Sequence, residues 1–455
     1  MSGILFFLSL FLPTAAGYTL FFGESSMSLP ERLIFSFTIG SALLSFYLFA
    51  LLAGGIPVSV SSVAPFFLPF LIFGLLRRKG IKESVRAWSR PSISELAFRH
   101  KVLFSLFLSL IVWKLCYLIF MVWSIPTVFW DAYTLWNLKA KAIYFGNGAL
   151  AAAREGLFEG PYSHYPLNLP IMRAWTALFI GEWDDSFINL HSVVLYLCLL
   201  GLVFSFLSRK TGKLRAIILT YVISAIPVMT YNVLGGYADM AVGYYFLAAN
   251  VMLYYWYKSG KTRLLIFLGI LLSIAMFTKN EGTAIVFPAL AITFFTALLQ
   301  RRASWKNAAA GIALFLASTV LVSLWLKESQ ALQSILRISG VLDSSIAFHP
   351  EGLYPFVYYV FVSRSHNIFW LVVVIVLALK GKRAFGSDER LFFIPAVLSF
   401  CAVLFVFFFT PNVKWLINGT TINRTLLIVI PVLTLSLGLL LTPDAAEKSE
   451  ARVML

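Results

Sequence analysis

Apolar stretches of close to twenty residues, each closed by a small polar or charged group, follow one another along the whole chain. A helix needs about 20 such residues to cross the hydrocarbon of a bilayer. The pattern predicts spans near 3–21, 32–54, 62–77, 103–124, 186–208, 214–232, 240–257, 263–278, 283–299, 307–326, 366–380, 391–410 and 425–441. That makes about thirteen transmembrane helices. These stretches are too long and too continuous for barrel strands, and backbone in lipid must satisfy its own hydrogen bonds. The expected fold is therefore an all-α polytopic membrane protein. Pro57 and Pro65, with Gly54 and Gly55, are positions where an early helix breaks or re-enters.

Composition sharpens this picture. The chain has 455 residues, 60% hydrophobic and 12% charged, with a mean hydropathy of +0.86. That excludes a soluble domain of this size. A charge at the centre of a span costs roughly 2.5–3.5 kcal/mol, so charges mark span ends. The net charge of +16 does not call for nucleic acid. Most Lys and Arg fall in short loops on one side, at 77–101, 209–213, 258–263, 300–306 and 380–390. The positive-inside rule makes that side cytoplasmic. Residues 125–185, 233–239, 279–282, 327–365 and 411–424 then lie outside. Cys116, Cys198 and Cys401 all fall within spans and define no disulfide framework. The start of the chain lacks a basic region before its apolar run and reads as a retained helix rather than a removed signal.

Three regions follow. Residues 1–102 hold the first helices and the large basic loop. Residues 103–300 form a central module with the outer loop 125–185. Residues 301–455 hold the last helices and the outer loop 327–365. Within the first outer loop, 131–145 reads as an amphipathic helix on the membrane surface. Leu135, Trp136, Leu138, Ala142, Ile143 and Phe145 would face lipid, and Asn137, Lys139 and Lys141 water. Breaks follow at Gly146-Asn147-Gly148 and at Glu159-Gly160-Pro161.

Five polar groups interrupt the apolar pattern, and the span count brings all of them out on one side: Trp130-Asp131, His164-Tyr165-Pro166, Tyr237-Ala238-Asp239, Lys279-Asn280-Glu281 and Asn423-Arg424. Ionisable groups at a bilayer edge point to a functional site. Asp131 is a candidate general base, and equally a candidate N-cap for the surface helix. Asp239 is a candidate second carboxylate, or the cap of the next span. Lys279 is suited to hold a phosphate, with Glu281 positioning it or contacting substrate hydroxyls; the alternative is an ion pair within a turn. Trp130, Tyr237 and His164 are further substrate-contact candidates. Outer cations such as Lys139, Lys141, Arg154, Arg173, Arg337, Arg364, Lys414 and Arg424 suit either a lipid-linked phosphate or phospholipid headgroups. Two carboxylates this far apart in sequence give no basis for a metal site, and no cofactor is expected.

The order of these motifs resembles the GT-C superfamily of polytopic glycosyltransferases, within it the protein O-mannosyltransferase and aminoarabinose-transferase-like group. The likeness rests on Trp130-Asp131-Ala132-Tyr133 with Lys139-Ala140-Lys141-Ala142, on His164-Tyr165-Pro166-Leu167-Asn168-Leu169-Pro170, and on Ala238-Asp239-Met240-Ala241 with Thr278-Lys279-Asn280-Glu281-Gly282. It covers roughly residues 103–300, which would be the catalytic module. The resemblance implies a sugar donor on a polyprenyl phosphate or pyrophosphate, and a glycan, lipid or protein acceptor. Transfer would occur at the extracytoplasmic face of a bacterial inner membrane. Asp131 would be the base, and Lys279, Arg364 and Arg424 would stabilise the leaving phosphate. Two other readings stand beside it: a transporter or flippase for lipid-linked glycans, and a glycan polymerase or ligase of the other GT-C branch, using Arg337, Arg364 and His366 of the later outer loop.

Overall fold

The computed structural model describes residues 1–76, 97–146, 165–301, 305–329, 346–386 and 388–442. Helices run through all of it, and no β-strand occurs among the described residues. The first four are α1 (Ser2–Leu20), α2 (Leu29–Ala53), α3 (Val60–Leu76) and α4 (Phe98–Ser124). A π-helical turn at Ala132–Trp136 leads into α5 (Asn137–Phe145). Then come α6 (Asn168–Ile180), α7 (Asp185–Thr211), α8 (Lys213–Ser224), α9 (Pro227–Leu234), α10 (Ala238–Ser259) and α11 (Thr262–Met276). A second π turn at Gly282–Val286 opens α12 (Phe287–Arg301), followed by α13 (Trp305–Ser329). The remainder comprises α14 (Leu353–Val357), α15 (Phe369–Lys380), α16 (Arg390–Phe409), α17 (Val413–Ile417), α18 (Ile422–Leu426) and α19 (Ile430–Leu440).

Every predicted apolar stretch coincides with helix, but among the described residues fewer than thirteen have span length. Among those residues six helical segments are long and apolar enough to cross a membrane by themselves, and α8 with α9 makes a seventh if joined across a 64° bend. The chain is thus a multi-span integral membrane protein. Helices α3, α11 and α19 are apolar but shorter. In α19 the predicted stretch is split, because residues 427–429 form a turn between α18 and α19.

Local chemistry explains the helix ends that matter most. Ser28 and Glu31 cap α2 reciprocally: the Glu31 amide donates to Ser28 Oγ, and the Ser28 amide donates to Glu31 Oε2 at 2.6 Å. The α8–α9 bend falls at Pro227, which lacks the amide to continue the ladder. The groups freed there find partners, as they must in an apolar medium. Ser224 O accepts from the Tyr196 hydroxyl, Ala225 O from Asn367 Nδ2, and the Val228 amide donates to Ser365 O.

Helix α10 is the axis of the molecule. Every residue from Ala238 to Trp256 is buried, so the helix is surrounded by protein rather than by lipid. Asp239 sits at its start and Tyr255 near its end, about 24 Å apart at the α-helical rise. The two ends carry separate polar clusters. At the Tyr255 end, Glu24 pairs with Lys261 at 2.8 Å and with Arg263 at 2.5 Å, Glu31 pairs with Arg209 at 2.7 Å, and Lys258 contacts Asp388. The basic loops 209–213, 258–263 and 380–390 therefore share one end, with Glu24 of the first interhelical loop, Glu31 of α2 and Asp388 as their acidic partners.

The surface helix departs from expectation. Leu135, Trp136 and Ile143 are buried, but against protein: α5 packs on α6. Asn137 and Lys139, expected to face water, are also buried, while Leu138 and Phe145 are exposed. The π turn explains the shift. It inserts an extra residue into the turn before Asn137 and rotates the later side chains away from ordinary α spacing.

Candidate functional site

The opposite end of α10 brings together residues from five segments. Asp131 begins the helix that continues into α5, but it does not cap it; its side chain makes no capping bond. Its Oδ2 instead accepts from Arg424 Nη1 at 2.5 Å. Arg424 sits on the short helix α18, and its guanidinium lies over the Tyr237 ring at 4.6 Å. Tyr237 precedes α10 and stacks on Tyr231 of α9, the two hydroxyls 3.2 Å apart. Asp239, expected as an alternative cap, is the second residue of α10 and binds Lys279 Nζ at 2.7 Å. Lys279 also binds Glu281 Oε1 at 2.6 Å.

Burial sorts these groups. The Asp239 and Lys279 side chains are 2% and 5% exposed, so this pair is sealed inside the protein. The Asp131 and Glu281 side chains are 30% and 22% exposed and can be reached. Three carboxylates share two cations. Glu281 Oε2 and Arg424 Nε are buried atoms with no hydrogen-bond partner among the described residues. Burial works against the charge of Lys279, but Asp239 and Glu281 outweigh it and hold the ammonium well above the usual lysine range. Arg424 behaves alike: burial opposes its charge, and Asp239 and Asp131 more than compensate.

Backbone geometry makes the gathering possible. Gly282 follows Glu281, and a Cβ there would lie 2.1 Å from the Ala275 carbonyl, so only glycine lets this turn close onto the end of α11. Gly236 adopts φ +59°, and a Cβ there would meet the Arg173 guanidinium at 2.6 Å. The segment after His164 is pinned over the same turn. The Asn168 amide donates to Phe277 O at 3.1 Å, and its side chain to Thr278 Oγ1 at 2.8 Å.

Of the residues singled out from sequence, Asp131, Asp239, Lys279, Glu281, Arg424 and Tyr237 converge. Trp130 is 68% exposed and makes no ring or cation contact with them among the described residues. Arg364 is exposed and makes no ion pair among the described residues. Its neighbour His366 is buried and donates through Nε2 to Asn423 O at 3.2 Å, anchoring the Arg424 segment. Burial pushes that imidazole down to about 4. His164, Arg154 and Arg337 lie outside the described residues. Lys139 and Arg173 are not surface cations. Lys139 Nζ donates to Tyr165 O at 2.8 Å, and burial pushes its ammonium down to about 7. Among the described residues, no group of three or more His, Cys, Asp or Glu is placed to hold a metal ion.

Sequence reasoning gave Tyr165 and Asn168 no role of their own and took Arg173, which is fully buried, for an outer cation. Tyr165 feels Lys279, Glu281, Asp131 and Asp239 together, and burial pushes its phenol up to about 12. It stood within a motif already noted, beside His164; a Tyr-Pro pair interrupting an apolar run was the available signal. Nothing in the sequence marks Arg173 for burial. A cleft of about 330 Å³ opens beside Asn137, lined also by Thr127, Tyr133, Thr134, Leu138 and Lys141. No family model, curated protein or solved structure matches the chain.

Proposed function

We propose that the protein is a membrane glycosyltransferase, moving a sugar from a polyprenyl-phosphate-type lipid donor to an extracytoplasmic glycan, lipid or protein acceptor, in the manner of the GT-C enzymes its motifs resemble. The observation that carries this reading is the reachable Asp131 carboxylate held at 2.5 Å by Arg424, beside the sealed Asp239–Lys279–Glu281 group. In the reaction, an acceptor hydroxyl attacks the anomeric carbon and gives its proton to Asp131. The new glycosidic bond forms as the bond from that carbon to the phosphate oxygen breaks, and the phosphate leaves with the electron pair. Arg424, with Nε uncommitted, stabilises that charge. Glu281, whose side chain is 22% exposed, contacts a substrate hydroxyl. Asp239 is out of reach of substrate and acts by holding Lys279 in place.

Purified protein offered a panel of radiolabelled polyprenyl-phosphate sugars should consume one of them. Asp131→Asn should lower transfer by about 10²–10⁴-fold while folding and membrane insertion stay intact. Unchanged turnover in that variant refutes the assignment. One feature favours a transporter instead, because broken helices line transport sites: the 64° bend between α8 and α9. Movement of a lipid-linked glycan across proteoliposomes without donor cleavage would select that reading. The charged cluster favours transfer, since it lies at helix ends rather than at mid-depth.

A further inference from the structure

Arg173 is fully buried, yet no carboxylate pairs with it among the described residues. Asp185 acts on it only through space, and a buried cation with no carboxylate in contact is costly, so its hydrogen bonds have to be good and its place well defined. Both terminal nitrogens are committed to neutral acceptors. Nη1 donates to Asn137 Oδ1 at 2.6 Å and Nη2 to Gly236 O at 2.6 Å. Asn137 is itself held: its Nδ2 donates to Thr127 Oγ1 at 2.8 Å and to Asn189 Oδ1 at 3.2 Å, and Asn189 Nδ2 donates to the same Thr127 hydroxyl at 2.8 Å.

These bonds close a circuit. Asn137 lies on the helix that begins with Asp131. Gly236 precedes Tyr237, whose ring lies under Arg424, and Arg424 holds Asp131. Arg173 thus ties the element carrying the reachable carboxylate to the turn supporting its cation. We propose that Arg173 is a positioning residue, a buried cross-brace that sets Tyr237, and through it Arg424, opposite Asp131. Its consequence for catalysis rests on the sugar-transfer reading; the brace itself does not. Lysine cannot replace it, because one ammonium cannot span both acceptors in a fixed fork.

The test uses the full chain in lipid nanodiscs, with Cys116 and Cys401 replaced by Ser and buried Cys198 retained. Spin labels go on Leu138→Cys, beside Asn137 on α5, and on Thr420→Cys, just before α18; both positions are exposed. With Arg173 present, the distance distribution should be narrow. Arg173→Met should broaden or shift it, and Arg173→Lys should not restore it. For the donor consumed in the panel above, Arg173→Met should lower kcat by about 10²-fold and leave KM within about twofold, as misplacement of reacting groups does. An unchanged distribution in Arg173→Met overturns the brace; a broadened one with unchanged kcat overturns its role in positioning the reacting groups. Should Arg173→Met fail to fold, Asn137→Ala removes one anchor, leaves the bond to Gly236, and carries the same measurements with the same expected outcomes. An active Asp131→Asn variant would sink the transfer reading but not the distance result, so the two failures are distinguishable.

Discussion

At the scale of single residues, the identity of each polar group mattered less than its partner. Asp131 and Asp239 are the same residue type, and each stands near the start of a helix, where capping is the ordinary role. The structure gives them different neighbours: a half-buried guanidinium for one, a sealed ammonium for the other. The sealed pair predicts a clear asymmetry. Lys279→Met leaves Asp239 buried without its cation and should destabilise the fold by about 3–5 kcal/mol, whereas Lys279→Met with Asp239→Asn should recover most of that loss. Denaturant titration in detergent, read by tryptophan fluorescence, checks it. Equal stability of the single and double variants would show that the pair contributes nothing through charge. The position of every one of these residues was legible in the sequence. Their pairing was not, because Asp131 and Arg424 lie 293 residues apart in the chain and only folding sets their separation.

Among elements, the informative places are junctions rather than helices. Both reachable carboxylates, Asp131 and Glu281, stand immediately before a π turn. Such turns carry an extra residue and turn side chains off the regular face, and they recur at functional sites. Apolar periodicity places helices here but is blind to that offset, which is why Asn137 and Lys139 turned inward. The Gly282 junction is the strictest. Gly282→Ala should force the turn away from α11 and cost about 1–3 kcal/mol through overpacking. It should also shift Lys279 relative to Asp239. Thermal unfolding of the purified variant measures the first effect; wild-type stability would mean that the turn relaxes freely.

For the whole molecule, two polar clusters at opposite ends of α10 define its direction in the bilayer. Cysteine placed at exposed Trp130 should react with a membrane-impermeant maleimide only from outside, and cysteine at Lys258 only from inside. Labelling of both from one side would overturn the orientation. The cluster at the Tyr255 end also makes stability depend on pH. Burial works against ionisation of Glu24, but bonds from Lys261, Ser26 and Arg263 outweigh it and lower its carboxyl from 4.5 to about 2. The group binds fewer protons folded than unfolded in that window. Its contribution is complete above about pH 4.5 and is lost as pH falls toward 2. Glu24→Gln should flatten the stability profile between those values, and an unchanged acid slope would exclude Glu24 as its source.

By itself the sequence determined that this chain lives in a membrane, where its helices run, and which polar groups stand at their ends. Burial of about 20 successive apolar residues is a local property, readable one stretch at a time. Only the tertiary structure decided which charges meet, that Arg173 is an interior brace rather than a surface cation, that fewer than thirteen helices reach span length, and which face of the 131–145 helix turns inward. Those outcomes depend on contacts between residues distant in the chain and on single-residue changes in helical winding, neither of which leaves a periodic trace.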